Sequence, residues 1–273
     1  LPYLGHTVLK DSKGKRRSGK EDTLRYLFEF LEAYDFASEG SEDIQEENKN
    51  LINASVLGLI FEKINGYRDG SFFTPGFITE YMARETIRRA VVQKFNEAKG
   101  WQLDDFEALK EKIEPDAEGR AEANRIINSL KVVDPAVGSG HFLVSALNEI
   151  IALKSELEVL SYRSGDRIKL YQARVENDEL IVEDHEEGGI FEYNLSRSHT
   201  PVPEKQALQE ALFQEKQTII ENCLFGVDIN PNSVKICRLR LWIELLKNAY
   251  YQIPEQKTPT ASGLELQTLP NID

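Results

Sequence analysis

The chain has 273 residues, of which 41% are hydrophobic and 29% are charged, and its formal net charge is −13. This composition is typical of a soluble globular protein, and no apolar run in the sequence approaches the roughly 18–20 residues that a membrane span needs. Because affinity for DNA phosphates rests largely on Lys and Arg, the acidic balance argues against a broad DNA-binding surface. The basic stretch 235–240 leaves a local contact open.

Cysteine and histidine usage predicts no metal site. Cys223 and Cys237 lack a CxxC spacing and lie among apolar residues, so we expect reduced core cysteines. Residues 1–20 are basic but precede no apolar segment, unlike a secretory signal, and a cytoplasmic location is predicted. The histidines lack the mutual spacing of a zinc site; they are His6, His141, His185 and His199.

The N-terminal part, residues 1–65, is predicted to be a helical region. Helical spacing of apolar residues begins at Leu24 and continues to Leu31, and a second helix is predicted from about Leu51 to Ile64. The next helix is predicted from about Gly76 to Phe95, with Thr74 capping it and Pro75 in its first turn. Further helices are predicted at 103–113 and 121–130.

Two strand–loop–helix units follow. The first comprises a strand at 131–134, a loop containing Gly138 and Gly140, and a helix beginning at His141. The second has a strand at about 223–227 and a helix through about Asn248. Strands that alternate with helices indicate a parallel sheet of the α/β class.

The two units are farther apart in the sequence than a simple crossover requires. A strand–helix–strand unit takes roughly 30 residues, whereas many more separate Asp134 from Asp228. The excess, at about 155–207, is predicted to be an inserted β lobe that projects from the core. Its hairpin strands are expected at 174–182 and 189–193, around a turn at 184–188.

A loop that follows a strand and opens a helix can bind an anionic or nucleotide-like cofactor. Gly138 and Gly140 would leave room for it, and Asp134 could accept hydrogen bonds from a cationic ligand group. A GxG tripeptide by itself often does no more than turn the chain. Asp228 would hold ribose hydroxyls, or cap the helix that begins around Asn232; the first loop favours the ribose role.

Three segments carry a resemblance to a known family. DPAVGSGHFL at 134–143 resembles motif I of amino-group, adenine-specific DNA methyltransferases, which include type I modification subunits and fused type II restriction–modification proteins such as the Eco57I family. FFTP at 72–75 resembles their motif X, and GVDINP at 226–231 resembles motif II. The match covers roughly residues 50–150 and 218–273.

The resemblance implies a Rossmann-like core that binds S-adenosylmethionine, within a partial methyltransferase domain at 66–273. Asp228 would bind the ribose, Ile229 would flank the adenine, and the other matching residues would line the methionine end. The implied cofactor-binding residues are Phe73, Thr74, Pro75, Asp134, Ala136, Gly138, Ser139, Gly140, Asp228 and Ile229.

The family flips the target adenine out of the duplex and holds it with an (N/D)PP(Y/F) motif. This motif is absent from the sequence, so we expect a fragment without catalytic residues that contacts double-stranded DNA through the full-length protein and could self-associate along its sheet edge. Two alternatives stay open: a methyltransferase of a non-DNA substrate, and a non-enzymatic module of the same fold.

Overall fold

The computed structural model describes residues 74–114, 116–186, 188–196, 200–252, 265–267, 269–270 and 272 of the second of two compact units, Thr74–Asp273. In the first unit, Leu1–Phe73, it describes positions 15, 22, 25, 34–35 and 50–51. There β1 (Tyr34–Asp35) pairs in parallel with β2 (Asn50–Leu51). Leu51, the predicted start of a helix, is therefore in a strand. Arg25 is helical, and the rest of the predicted N-terminal helices lies outside the described residues.

The second unit contains helices and short strands in alternation. Its helices are α1 (Gly76–Lys99), α2 (Phe106–Lys112), α3 (Ala117–Ile127), α4 (His141–Glu156), α5 (Pro203–Cys223) and α6 (Pro231–Leu246). Its strands are β3 (Val132–Asp134), β4 (Tyr171–Glu176), β5 (Glu179–Asp184), β6 (Gly189–Ile190), β7 (Leu224–Gly226), β8 (Tyr251–Gln252) and β9 (Glu265–Leu266). No helix among the described residues is long and apolar enough to cross a membrane.

Local capping explains where the helices begin and end. α1 runs past the predicted end at Phe95 until Gly100, whose left-handed φ of 67° terminates it. α2 and α3 begin after Asp105 and Asp116, and each of these carboxylates accepts a hydrogen bond from a backbone N–H of the first turn. These caps shift both helices relative to the predicted bounds.

The parallel pairing predicted from the two strand–loop–helix units is confirmed. β3 and β7 pair in register, with Val132 opposite Leu224 and Asp134 opposite Gly226. The long central helix α4 packs against both strands and also against α1, α5 and α6. Every residue of α4 from Leu143 to Lys154 is buried, and burial of each large aliphatic side chain contributes about 1.5–3 kcal/mol. The core of the unit is therefore built around α4.

The hairpin in the crossover differs from the predicted one. β4 and β5 pair antiparallel through a two-residue turn at Asn177 and Asp178, whose φ angles are 52° and 65°. Such a turn suits Asn and Asp, which tolerate a left-handed backbone. The predicted strand 174–182 is thus divided by a turn, while β6 pairs with β5 across the expected turn at 184–188.

The hairpin does not project from the core, contrary to the expectation of a separate lobe. β4 and β5 pack against α4, and two side chains of β4, Tyr171 and Ala173, are buried in the common core, while Ile181 of β5 is also buried. The physical reason is the alternation of apolar residues, which gives this hairpin an inward face. Both flanking helices also reach into the segment predicted to be the β lobe, 155–207. α4 ends at Glu156 and α5 begins at Pro203. Helix α5 was not anticipated.

We predict that Tyr171→Ala destabilises the protein by about 3 kcal/mol, because it removes a buried ring from the core. Tyr171 is 8% exposed and meets the Phe191 ring edge-on at 5.4 Å. Gln172→Ala, at an exposed position of the same strand, is the control and should change stability little. Urea denaturation followed by circular dichroism measures both. Equal stability of the two variants would show that the hairpin is not part of the core.

Candidate cofactor-binding site

The two loops that carry the motifs meet where the parallel strands end. Asp134 and Gly226 are in register at the last pair of β3 and β7. Hydrogen bonds extend this pairing into the loops: the N–H of Val227 donates to the Asp134 carbonyl at 2.8 Å, and the N–H of Val137 donates to the Val227 carbonyl at 2.9 Å. The loops are therefore joined at the carboxyl edge of the sheet, the usual location of ligands in open α/β folds.

Asp228 links the two loops through its carboxylate. Oδ2 accepts the N–H of Gly138 at 2.8 Å, and Oδ1 accepts the N–H of Asn230 at 2.7 Å. Asp228 does not cap α6, because Asn230 is the N-cap and its side chain accepts the N–H of Asn232. A carboxylate offers about four lone-pair positions, so these two bonds leave acceptor capacity for ligand hydroxyl groups.

The two loop glycines have different roles. Gly138 has a φ of 52°, and a Cβ there would meet no atom closer than 3.9 Å. Gly140 has a φ of 81°, and a Cβ there would lie 2.6 Å from Sγ of Cys237. Gly138 thus borders open space, as expected of a ligand loop, whereas Gly140 allows the start of α4 to pack directly on α6. The structure therefore gives Gly140 a packing role, and the ligand-binding role of both glycines stays a prediction.

We predict that Gly140→Ala destabilises the protein more than Gly138→Ala. Both variants place an L-residue in the left-handed region, which costs about 1–2 kcal/mol, but Gly140→Ala also forces Cβ against Cys237. Adding Cys237→Ala removes the nearest atom and should recover part of this extra loss. Thermal denaturation of the single and double variants tests the comparison. Equal losses at the two glycines would contradict the packing role of Gly140.

The segment around the Thr-Pro dipeptide lies beside the glycine loop. Pro75 is the N-cap of α1, and no side chain caps this helix, so the predicted capping by Thr74 is wrong. A Cβ on Gly76 would lie 3.6 Å from Nε2 of His141, which places the starts of α1 and α4 against each other. Phe73 lies outside the described residues.

The remaining predicted residues are at the same edge. The Asp134 side chain stabilises the turn of its own loop, because its Oδ1 accepts the N–H of Ala136 at 3.0 Å. Ser139 Oγ accepts a hydrogen bond from Arg240 at 3.3 Å. Ile229 is fully exposed and is free to contact a planar ligand group. Within the part of the chain that the structure describes, no group of His, Cys, Asp and Glu is arranged to hold a metal ion.

Both cysteines are free and buried, as predicted. Burial raises the pKa of the Cys237 thiol to about 11, although Arg240 opposes this shift. The thiol is therefore protonated at neutral pH and serves as a packing group beneath the glycine loop.

Sequence reasoning missed a polar cluster behind the loop. His141 and Asp178 form a buried pair, with 2.7 Å between Nε2 and Oδ2, and Arg240 approaches Nδ1 of His141 at 3.4 Å. Burial lowers the pKa of Arg240, against the opposing effect of Glu244 and Asp178. The one signal for Asp178 in the sequence was the Asn-Asp dipeptide, which favours a tight turn.

Comparison with known proteins shows which class of protein this chain resembles. The chain is similar to methyltransferases, one of them described as adenine-specific. This confirms the predicted resemblance to adenine methyltransferases of restriction–modification systems. Residues 1–52 match a family model described as "Domain of unknown function (DUF7814)". No solved structure matches the chain.

Two relatives define the similarity. The chain is 31% identical over 272 residues to "Putative type II restriction enzyme and methyltransferase RM.MjaORFECS2P" of Methanocaldococcus jannaschii, which covers 91% of this chain and 19% of that protein. It is 33% identical over 118 residues to the adenine-specific methyltransferase BrxX of Escherichia coli O9:H4, which covers 41% of this chain and 9% of that protein. The chain thus spans less than a fifth of the length of either relative.

Proposed function

We propose that this chain is the S-adenosylmethionine-binding part of a DNA adenine-N6 methyltransferase of a restriction–modification system, built on a Rossmann-like core. The observation that carries the proposal is the meeting of Gly138 and Asp228 at the ends of two adjacent parallel strands. In open α/β sheets this arrangement binds nucleotide-like cofactors. The names of the two relatives support the methyltransferase chemistry.

The residues present fit this cofactor. Gly138 offers a backbone without obstruction, and the Asp228 carboxylate has lone pairs left for the ribose hydroxyls. Ile229 presents an exposed apolar side chain to the adenine. The methionine end would lie towards Asp134, Ala136, Ser139 and Gly140, and towards Thr74 and Pro75. The cofactor contact predicted for Phe73, which lies outside the described residues, stays a prediction. When bound, S-adenosylmethionine supplies an electrophilic methyl group on its sulfonium.

We predict that Asp228→Ala weakens binding of S-adenosylmethionine by about 1.5–3 kcal/mol, or roughly 10- to 150-fold, because a charge-assisted hydrogen bond is lost. Gly138→Val should abolish binding, because a branched side chain fills the ligand space at a left-handed φ. Isothermal titration calorimetry measures both. Glu221→Ala, at an exposed carboxylate of α5, is the matched control and should bind like the wild type.

A second titration separates ribose binding from loop support. S-adenosylhomocysteine and its 2′-deoxyribose analogue are compared in the wild type and in Asp228→Ala. If Asp228 holds the ribose, the missing hydroxyl weakens binding to the wild type but not to the variant. Equal sensitivity in both proteins would contradict the ribose role, and absence of any binding to the wild type would reject the proposed function.

DNA recognition and methyl transfer are assigned to the whole protein. The sequence contains no Pro-Pro pair and so no motif of the type that holds a flipped adenine. The net charge of −13 disfavours tight binding of double-stranded DNA by this chain. One face of the parallel pair is exposed at Val133 and Phe225, which are 60% and 43% accessible, and such an apolar surface favours association.

We predict that the 273-residue chain transfers no methyl group to DNA by itself. The reason is that the residues which would hold the target base are absent from it. A tritiated-methyl transfer assay on adenine-containing duplexes tests this, with a longer protein that includes an (N/D)PP(Y/F) motif as the positive control. Incorporation by this chain would mean that catalysis does not need that motif.

A further inference from the structure

A largely buried carboxylate lies at the tip of the hairpin between β4 and β5. Asp178 occupies the second position of the tight turn, and its side chain is 10% exposed. Burial of a carboxylate is costly unless it is paired and hydrogen-bonded. The turn is therefore held inward by its polar contacts, although turns of surface hairpins are usually solvated.

The contacts of Asp178 join two helices of the site. Its N–H donates to Glu80 of α1 at 2.8 Å, and its carbonyl accepts from the Asn148 amide of α4 at 2.9 Å. Oδ1 accepts from the Ser145 hydroxyl at 2.6 Å, and Oδ2 pairs with Nε2 of His141 at 2.7 Å. The hairpin tip thus connects the N-terminal halves of α1 and α4.

His141 carries this connection to the glycine loop. It directly follows Gly140 and is 7% exposed. Nδ1 of His141 accepts from Arg240, which also donates to Ser139 Oγ, while Nε2 lies 2.7 Å from Oδ2 of Asp178 in a close contact outside hydrogen-bond geometry. The contacts of the His141 ring therefore run from the hairpin tip to the glycine loop.

We propose that Asp178 is a positioning residue of the cofactor site, which orients His141 and thereby fixes the glycine loop at the start of α4. The inserted hairpin is then a functional part of the site. The effect on S-adenosylmethionine affinity rests on the proposed function, whereas the effect on the loop itself does not.

The test compares two glycine variants of the same turn. Asp178→Gly removes the carboxylate at a position whose φ of 65° glycine accepts without strain. Asn177→Gly makes the same backbone change at the neighbouring exposed position and keeps the carboxylate. Asp178→Asn keeps the size and the turn preference but removes the charge. Urea denaturation of all three reports global stability, so that a local effect can be distinguished from unfolding.

The first readout is amide hydrogen exchange in the cofactor-free protein. In Asp178→Gly, exchange at residues 138–142 should rise about tenfold, the effect of losing a charged hydrogen bond, while α3 exchanges as in the wild type. Asn177→Gly should leave both segments unchanged. Equal exchange at 138–142 in the two glycine variants overturns the proposal. If Asp178→Gly does not fold, Asp178→Asn is judged by the same criterion.

The second readout is titration with S-adenosylmethionine. We expect an affinity loss of about tenfold for Asp178→Gly, a smaller loss for Asp178→Asn, and none for Asn177→Gly. Unchanged affinity in Asp178→Gly would also overturn the positioning role. If the wild type binds no S-adenosylmethionine, the proposed function fails, and hydrogen exchange alone decides whether Asp178 positions the loop.

Discussion

The pairing of two three-residue strands is the constraint on which the site depends. β3 and β7 are far apart in the sequence, and their register brings Asp134 opposite Gly226. Beyond this pair, the N–H groups of Val227 and Val137 donate to carbonyls of the opposite loop, and the N–H of Gly138 donates to the Asp228 carboxylate. Buried and half-buried backbone groups need such partners, so a shift in register would separate the loops and remove the site.

Helix α4 makes this pairing stable. A parallel pair of short strands has little stability by itself, but α4 covers one of its faces and also contacts α1, α5 and α6. Gly140 is essential to this arrangement, because a side chain at the start of α4 would collide with Cys237 of α6. The glycine loop is thus shaped as much by helix packing as by the space for a ligand.

The crossover shows how an insertion can become part of a core. A long insertion costs little in closure entropy, and here it also adds buried surface through Tyr171, Ala173 and Ile181. Its turn supplies Asp178, which contacts α1 and α4. The segment that differs most from a simple strand–helix–strand unit therefore contacts the helix that follows the glycine loop.

The sequence by itself determined the features that depend on local pattern. The strand at β3, the glycine loop, the start of α4 and the position of Asp228 after β7 all follow from residues close together in the chain. The buried cysteines were also predictable from their apolar neighbours. For the same reason, helices with a clear apolar periodicity were found with errors mainly at their ends, where a cap such as Asp105 or Asp116 decides the boundary.

The tertiary structure decided which distant residues meet. Asp228 could have capped α6 or faced the loop, and the register of β3 with β7 placed it at Gly138. Asp178 was predicted to lie in a strand of a projecting lobe, and the packing of β4 and β5 on α4 placed its carboxylate beside His141. Periodicity records which face of an element is apolar, but not which other element covers it. Which element covers an apolar face depends on contacts between residues far apart in the chain. Here this packing made the hairpin a part of the site.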